Sequence, residues 1–459
     1  MHTRCPSISL SRKVPPPAVK KSVSALALTL SATLGVSALA PVTAHAQSSS
    51  SSGSSNSRPS QPVTEWPDGI SEGLIVTIVG DILGRGISDE VGFLIGDLGI
   101  MTNIGDGDEF AIVFGDSWRG PGFGQGEWMS PVGVVAVIND EGRIEIVRPL
   151  NDGDRVEQLI DYNHTDGLTL IPSDVLNVDG TLYMQGMWNR GIGNVLYTET
   201  WRSNDDGATW TSLGRESALA NRGMTNLITW EQGPDGYVYM MSSEFKRRDD
   251  VYLTRFRPED IANSDAWVHY NPADGTWGST FTPVLADDVS AGEMTLRYIE
   301  GHWVLAMFNA ATYSIEVRIS PEIARDWNEI EPAHVVIGGN WGGAQTPENF
   351  AQLYGAYIVP GSTLGNMDLV ISQWNTSNNS RYMSTQFNVK GLDEFFGIGT
   401  APTDTTAPEG RMAPQTVPQD RAGDQSVIRV EQTEVTADTT PEQGLLDSTT
   451  DLVIVPLEQ

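Results

Sequence analysis

Three times in its central part the chain repeats one unit: an acidic residue and a glycine, followed at once by an apolar, aromatic-bearing run. Asp179-Gly180 precedes Thr-Leu-Tyr-Met, Asp235-Gly236 precedes Tyr-Val-Tyr-Met, and Glu300-Gly301 precedes His-Trp-Val-Leu. An acidic–Gly pair suits a two-residue hairpin turn, so each unit reads as a hairpin of a small antiparallel sheet. The successive spacings of 56 and 65 residues fit one four-stranded propeller blade with generous loops. The rest of the body has the same texture. Phe110–Phe114, Val132–Ile138 and Asp368–Ser372 are short apolar runs bounded by Gly, Asp and Asn, with little helical periodicity.

All 13 Trp lie between Trp66 and Trp374, and the last Phe is Phe396, which confines the folded body to about 62–398. At the observed period that length gives five or six blades. A second motif agrees. Ser203-Asn-Asp-Asp-Gly-Ala-Thr-Trp210 matches S-x-D-x-G-x-T-W and resembles the Asp box, a hairpin turn of sialidase-like propellers. There the Asp and Ser cap the turn, so Asp205 is read as structural.

The two ends have other compositions. Residues 1–46 carry Arg4, Arg12, Lys13, Lys20 and Lys21, then an apolar small-residue run from Ser22 to Ala40, then Ala44-His45-Ala46. That is the order of a secretory signal peptide with its cleavage site. Residues 47–62 form a Ser-rich linker. Residues 399–459 hold 11 acidic and three basic residues and no aromatic, the composition of a disordered acidic tail. This leaves 63–398 for the propeller. No later segment is apolar for long enough to cross a membrane.

The formal charge is −31, and loss of the five basic residues in 1–46 takes it to −36. A phosphate polymer is repelled by such a surface, so nucleic acid is excluded as a partner, and anionic membranes are disfavoured. A neutral polysaccharide meets no such barrier. The single cysteine, Cys5, lies in the leader, so the mature chain has neither disulfides nor cysteine chemistry. The body holds four His and no HExxH. Catalysis is expected to rest on carboxylates, with no cofactor and no metal, in a monomer.

The most informative segment runs from Asp97 to Asp116. Its arms flank Asp106-Gly107, a favoured hairpin turn. With that turn, paired residues have numbers that add to 213, which sets Asp97 opposite Asp116. Directly opposed side chains have Cβ atoms roughly 4.5–5.5 Å apart. Gly96 and Gly115 leave room beside each carboxylate. Two close carboxylates resist double ionisation, and an acid paired with a base is what glycosidic cleavage requires. A bulge would break this register. Asp174, in Ile-Pro-Ser-Asp, either lines the central funnel or caps a turn. Glu293 stands at the start of an inner-strand candidate, as a site residue or a structural one. Arg297, four residues on, shares its face if the strand is regular. Trp118, Trp188 and Trp374 lie close to these motifs, as do Trp128 and Trp341. They offer faces for sugar rings, although most of the Trp residues are read as packing between blades.

Taken together, GDLGI (96–100), FGDSW (114–118), IPSD and VDGTLYM (within 171–184), GEMTLR (292–297), LYGAYIVP (353–360) and ISQW (371–374) resemble a secreted actinobacterial family. It was long catalogued as a domain of unknown function, and its members have been assigned as endo-D-arabinanases. The resemblance covers 75–390. It implies a five-bladed β-propeller and endo-cleavage of D-arabinofuranosyl linkages in cell-wall arabinogalactan and lipoarabinomannan. It also implies catalytic carboxylates in the first blade, at Asp97 and Asp116. Ser117 stands where FGDTW is the expected form, and WMSPVG (128–133) is a looser match. Neither departure touches the carboxylates.

Two other readings compete. A non-catalytic wall-binding propeller would hold glycan by its aromatics alone. A sialidase rests only on the Asp box, and an acidic chain without an evident Arg triad argues against it.

Overall fold

A computed structural model of the chain describes residues 67–399, except 106 and 192. The leader, the Ser-rich linker and the acidic tail read from the sequence lie outside the described residues.

The described residues build five sheets, antiparallel but for one short parallel pair at Gly338–Gly339 and Phe350–Ala351, arranged as a five-bladed β-propeller. Blade one is Ile95–Asn103, Phe110–Trp118, Val132–Ile138 and Ile144–Pro149, with the short Trp128–Met129 beside its second strand. Blade two is Leu168–Val178, Thr181–Arg190, Val195–Ser203 and Thr211–Ser217. Blades three and four begin with Leu227–Gln232 and Ala291–Ile299. Blade five runs Leu353–Ile358, Asn366–Trp374 and Tyr382–Lys390, and takes its outermost strand, Ile75–Asp81, from the start of the body. The first strand of each blade touches the first strands of its neighbours, and that of blade five touches that of blade one, so five inner strands close a ring.

The repeated acidic–Gly unit has one structural meaning. Each copy joins the inner strand of a blade to its second strand, in blades two, three and four. Asp179 and Gly180 both have positive φ (50° and 83°), as do Glu300 and Gly301 (48° and 83°). This is the backbone that a tight hairpin matched to strand twist demands. The Asp-box turn is built as its motif requires. Asp205 accepts hydrogen bonds from Ser203, from the Thr209 amide and from the Thr209 hydroxyl. It fixes a hairpin at the rim of blade two.

Alternating side chains of each sheet pack against the neighbouring blades. Phe93, Phe110, Phe114, Trp230, Trp327, Phe350 and Phe387 are fully buried there. Inner strands are buried on both faces for most of their length, so they lack the alternation of a half-exposed strand. A polar or charged residue on such a strand therefore stands out as needing a partner.

Candidate active site

The blade-one hairpin turns where its sequence indicates. Ile95 pairs with Trp118, Gly96 with Ser117, and Ile100 to Asn103 with Val113 to Phe110. Between these stretches the register shifts twice, on either side of the Leu98–Phe114 pair. The direct Asp97–Asp116 pairing expected from a uniform ladder therefore does not form. Two residues, Gly115 and Asp116, oppose the single residue Asp97, which is a β-bulge. Bulges re-aim side chains and collect beside functional sites. Leu98 pays for this with a φ of 63°, a conformation that persists in a non-glycine residue only where surroundings enforce it. Here the enforcement comes from blade five. The Ser372 hydroxyl accepts from the Leu98 amide at 2.8 Å, and Ser384 donates to its carbonyl at 2.8 Å.

Within the bulge the two carboxylates remain neighbours. A Cβ on Gly115 would lie 2.6 Å from Oδ1 of Asp97, so only glycine leaves space for that carboxylate. Tyr354 donates its hydroxyl proton to Oδ2 of Asp97 at 2.8 Å, and the Tyr382 hydroxyl faces the same carboxyl. Oδ1 is buried without a partner. Asp97 is only 9% exposed. Asp116 keeps a partly open edge, and its Oδ1 accepts from the indole N–H of Trp128 at 3.1 Å.

Burial raises both acids above the ordinary carboxylate range. Desolvation, and then the charge of Asp116, push Asp97 up to about 8 against the opposing hydrogen bonds of Tyr382 and Tyr354; Glu293 adds to the rise. Desolvation pushes Asp116 up to about 6, with the Trp128 bond opposing it. Such a pair titrates as a unit. The more deeply buried Asp97 is the member raised further above the ordinary carboxylate range.

Glu293 reaches the same site from blade four. The ladder slips between Ala291 and Met294, so the regular-strand pairing of Glu293 with Arg297 does not occur. Glu293 Oε1 instead accepts from Arg247 at 2.7 Å, and Oε2 is buried with no partner. Arg297 turns to Asp174. The Asp174 carboxylate accepts from Arg297 at 3.2 and 3.3 Å, from the Thr229 hydroxyl, and from the amides of Val175 and Trp230. Arg297 also donates to the Met101 and Trp230 carbonyls. With every oxygen engaged at 2% exposure, Asp174 ties blades together on the axis and turns nothing toward Asp97.

The aromatics divide in the same way. Trp118 is 2% exposed, under Phe123 and Tyr382. Trp188 is 4% exposed, with its N–H held by Glu199 at 2.8 Å. Both are core rather than sugar platforms. Trp374 keeps an open edge, stacked on Phe123 with ring centroids 5.4 Å apart. Trp128 adds a wall beside Asp116, in edge contact with His164. Tyr354, Tyr382 and Arg247 escaped the sequence reading as site residues. Tyr354 lies inside LYGAYIVP, so the motif pointed at its strand without singling out its hydroxyl. Tyr382 and Arg247 carry no local signal.

Asp97, Glu293 and Tyr354 all sit near the beginnings of their inner strands. A cavity of ≈ 500 Å³ lies among the ends of those strands, lined by Asn103, Asn177, Glu231, Arg297 and Glu300. The carboxylate site and this cavity are thus at opposite mouths of the ring.

Known proteins frame this geometry. The family described as "Domain of unknown function (DUF4185)" matches residues 86–388. An uncharacterized 35.9 kDa protein of Mycolicibacterium smegmatis is 28% identical over 321 residues, covering 64% of this chain and 93% of its own length. A crystal structure of a putative hydrolase from Bacteroides ovatus shares the fold, with a TM-score of 0.52 at 13% identity, over 75% of this chain and 95% of that one. An exo-β-1,3-galactanase from Phanerochaete chrysosporium gives a TM-score of 0.42 at 10% identity, over 68% and 63% of the two chains.

Proposed function

The chain belongs to the DUF4185 family, and we propose that it is an exported glycoside hydrolase acting within chains of cell-wall D-arabinan. The observation that carries this reading is the blade-one pair. Asp97 and Asp116 are neighbours across a bulge, one more deeply buried and raised further above the ordinary carboxylate range, the other more open. That division of environments is how a pair of carboxylates acquires separate acid and base roles.

Asp97 is the general acid. Its proton passes to the oxygen that leaves as the glycosidic bond breaks. Asp116 is the ionised partner, and the Trp128 N–H stabilises its charge. Its carboxylate either takes a proton from the attacking water or bonds to the anomeric carbon itself, the two routes open to such pairs. Trp374 and Trp128 offer aromatic faces at the rim for neighbouring sugar rings. The arabinan substrate rests on the motifs at 96–100 and 114–118, and export rests on the leader at 1–46.

The test is incubation of the purified protein with mycobacterial-type arabinogalactan, followed by separation of the products. Release of arabino-oligosaccharides of several lengths supports endo-cleavage. Binding of the polymer without any release would make the protein a wall-binding propeller instead.

A further inference from the structure

Resting on the reading of Asp97 as the acid, we propose that Tyr354, braced by Arg247, is the positioning residue of this site: it holds Oδ2 of Asp97 and thereby commits Oδ1 to carrying the proton. The two carboxyl oxygens are not equivalent. Oδ2 accepts the Tyr354 hydroxyl at 2.8 Å, whereas Oδ1 has no partner and lies against the bare α-carbon of Gly115, next to Asp116.

Tyr354 is itself over-determined. It sits at the start of the blade-five inner strand, paired with Ser372, and the ladder slips immediately beyond it, before Tyr357. Gly355 at φ 70° makes that slip possible. On the other side, the Arg247 guanidinium lies over the Tyr354 ring, 4.9 Å from its centroid. Arg247 comes from a loop of blade three, has φ 54°, and is fixed by its 2.7 Å bond to Glu293 of blade four. A cation over a phenol ring is attracted by the ring face, and it draws electron density from the hydroxyl, making that hydroxyl a stronger donor. Ser372, the ladder partner of Tyr354, is also the residue that holds the Leu98 amide. Blade five therefore fixes the acid twice, through its backbone by way of Leu98 and through its carboxyl by way of Tyr354.

The groups facing Asp97 are Asp116 from its own blade, Glu293 from blade four, and Tyr354 and Tyr382 from blade five, with Arg247 behind Tyr354. The Tyr354 hydroxyl favours the ionised form of Asp97. Its removal should make Asp97 hold its proton more tightly, and should free the carboxyl to rotate.

The experiment uses the full chain and Tyr354→Phe. Carboxyl-carbon NMR of Asp97 gives its titration without any substrate, and kcat and KM on arabinogalactan are measured across pH. The expected result is a titration and an alkaline activity limb both displaced to higher pH, with kcat reduced about tenfold and KM within about twofold, the pattern of a lost transition-state contact. Arg247→Lys, which keeps the cation, should retain most activity, and Arg247→Met should move in the direction of Tyr354→Phe. If Tyr354→Phe fails to fold, the Arg247 pair carries the test, and equal limbs in both Arg247 variants overturn the proposal. An unmoved Asp97 titration with wild-type kcat in Tyr354→Phe also overturns it. Failure of the underlying reading looks different: Asp97→Asn would then cleave arabinan normally, whatever the NMR titration shows.

Discussion

At the residue scale, burial acts unequally on two aspartates, and the proposed chemistry follows from that difference. Asp97→Asn and Asp116→Asn should each fold and lose at least about a hundredfold in rate, the usual minimum for a positioned acid or base; steady-state assays beside circular dichroism check this. The activity of the intact protein should follow a bell in pH, rising near 6 as Asp116 ionises and falling near 8 as Asp97 loses its proton. A profile flat between pH 5 and 9 would remove the pair from the chemistry. Stability carries its own sign. The folded protein holds the Asp97 proton more tightly than the unfolded chain does. The stability this gives is complete below the ordinary carboxylate range and is lost as pH rises through about 8. Asn cannot ionise, so the Tm of Asp97→Asn relative to wild type should climb between pH 5 and pH 9, in thermal melts at matched ionic strength. A constant offset would mean that the folded protein does not hold the Asp97 proton above the ordinary carboxylate range.

At the scale of elements, charged residues on inner strands sort by whether their oxygens are used. Asp174 and Glu293 look alike in sequence, each acidic and near the head of an apolar strand. Asp174 is saturated by Arg297, Thr229 and two backbone amides, whereas Glu293 keeps one buried oxygen free. Asp174→Asn removes one partner of a buried ion pair whose other member, Arg297, also bonds carbonyls of blades one and three. Breaking such a pair costs about 3–5 kcal/mol. The expectation is a large fall in denaturation midpoint with the pH–rate profile unchanged wherever the variant is folded. A shifted profile at wild-type stability would return Asp174 to the site. The bulges teach the same lesson. Turn chemistry at Asp106-Gly107 sets the register of the hairpin, but the slip around Leu98 is imposed from outside it, by Ser372 and Ser384.

At the scale of the whole molecule, the ring is closed by a single strand. Ile75–Asp81 completes blade five beside Tyr382–Lys390, and Arg381 grips Asp81 with two bonds of 2.7 Å. Asp97 of blade one is held by blade five, so under the proposed function closure and catalysis are coupled. Deleting residues through Asp81 should abolish a single cooperative melting transition and activity together, because it exposes the edge of the blade that orients Asp97. Retention of a wild-type melt by calorimetry would show that the ring closes without this strand.

The sequence by itself determined the architecture and one half of the site. Its hairpin turns recur at blade spacing and both aspartates flank one turn, local properties set by backbone preference. Only the tertiary structure decided what surrounds the pair. Tyr354 and Asp97 are 257 residues apart, and Arg247 reaches the site from a third blade. The same structure withdrew Asp174, Trp118 and Trp188 from the surface. Burial, and with it the protonation of Asp97, belongs to the packing of blades around an axis. No window of sequence contains that axis, so no local pattern reveals which polar groups it leaves unpaired.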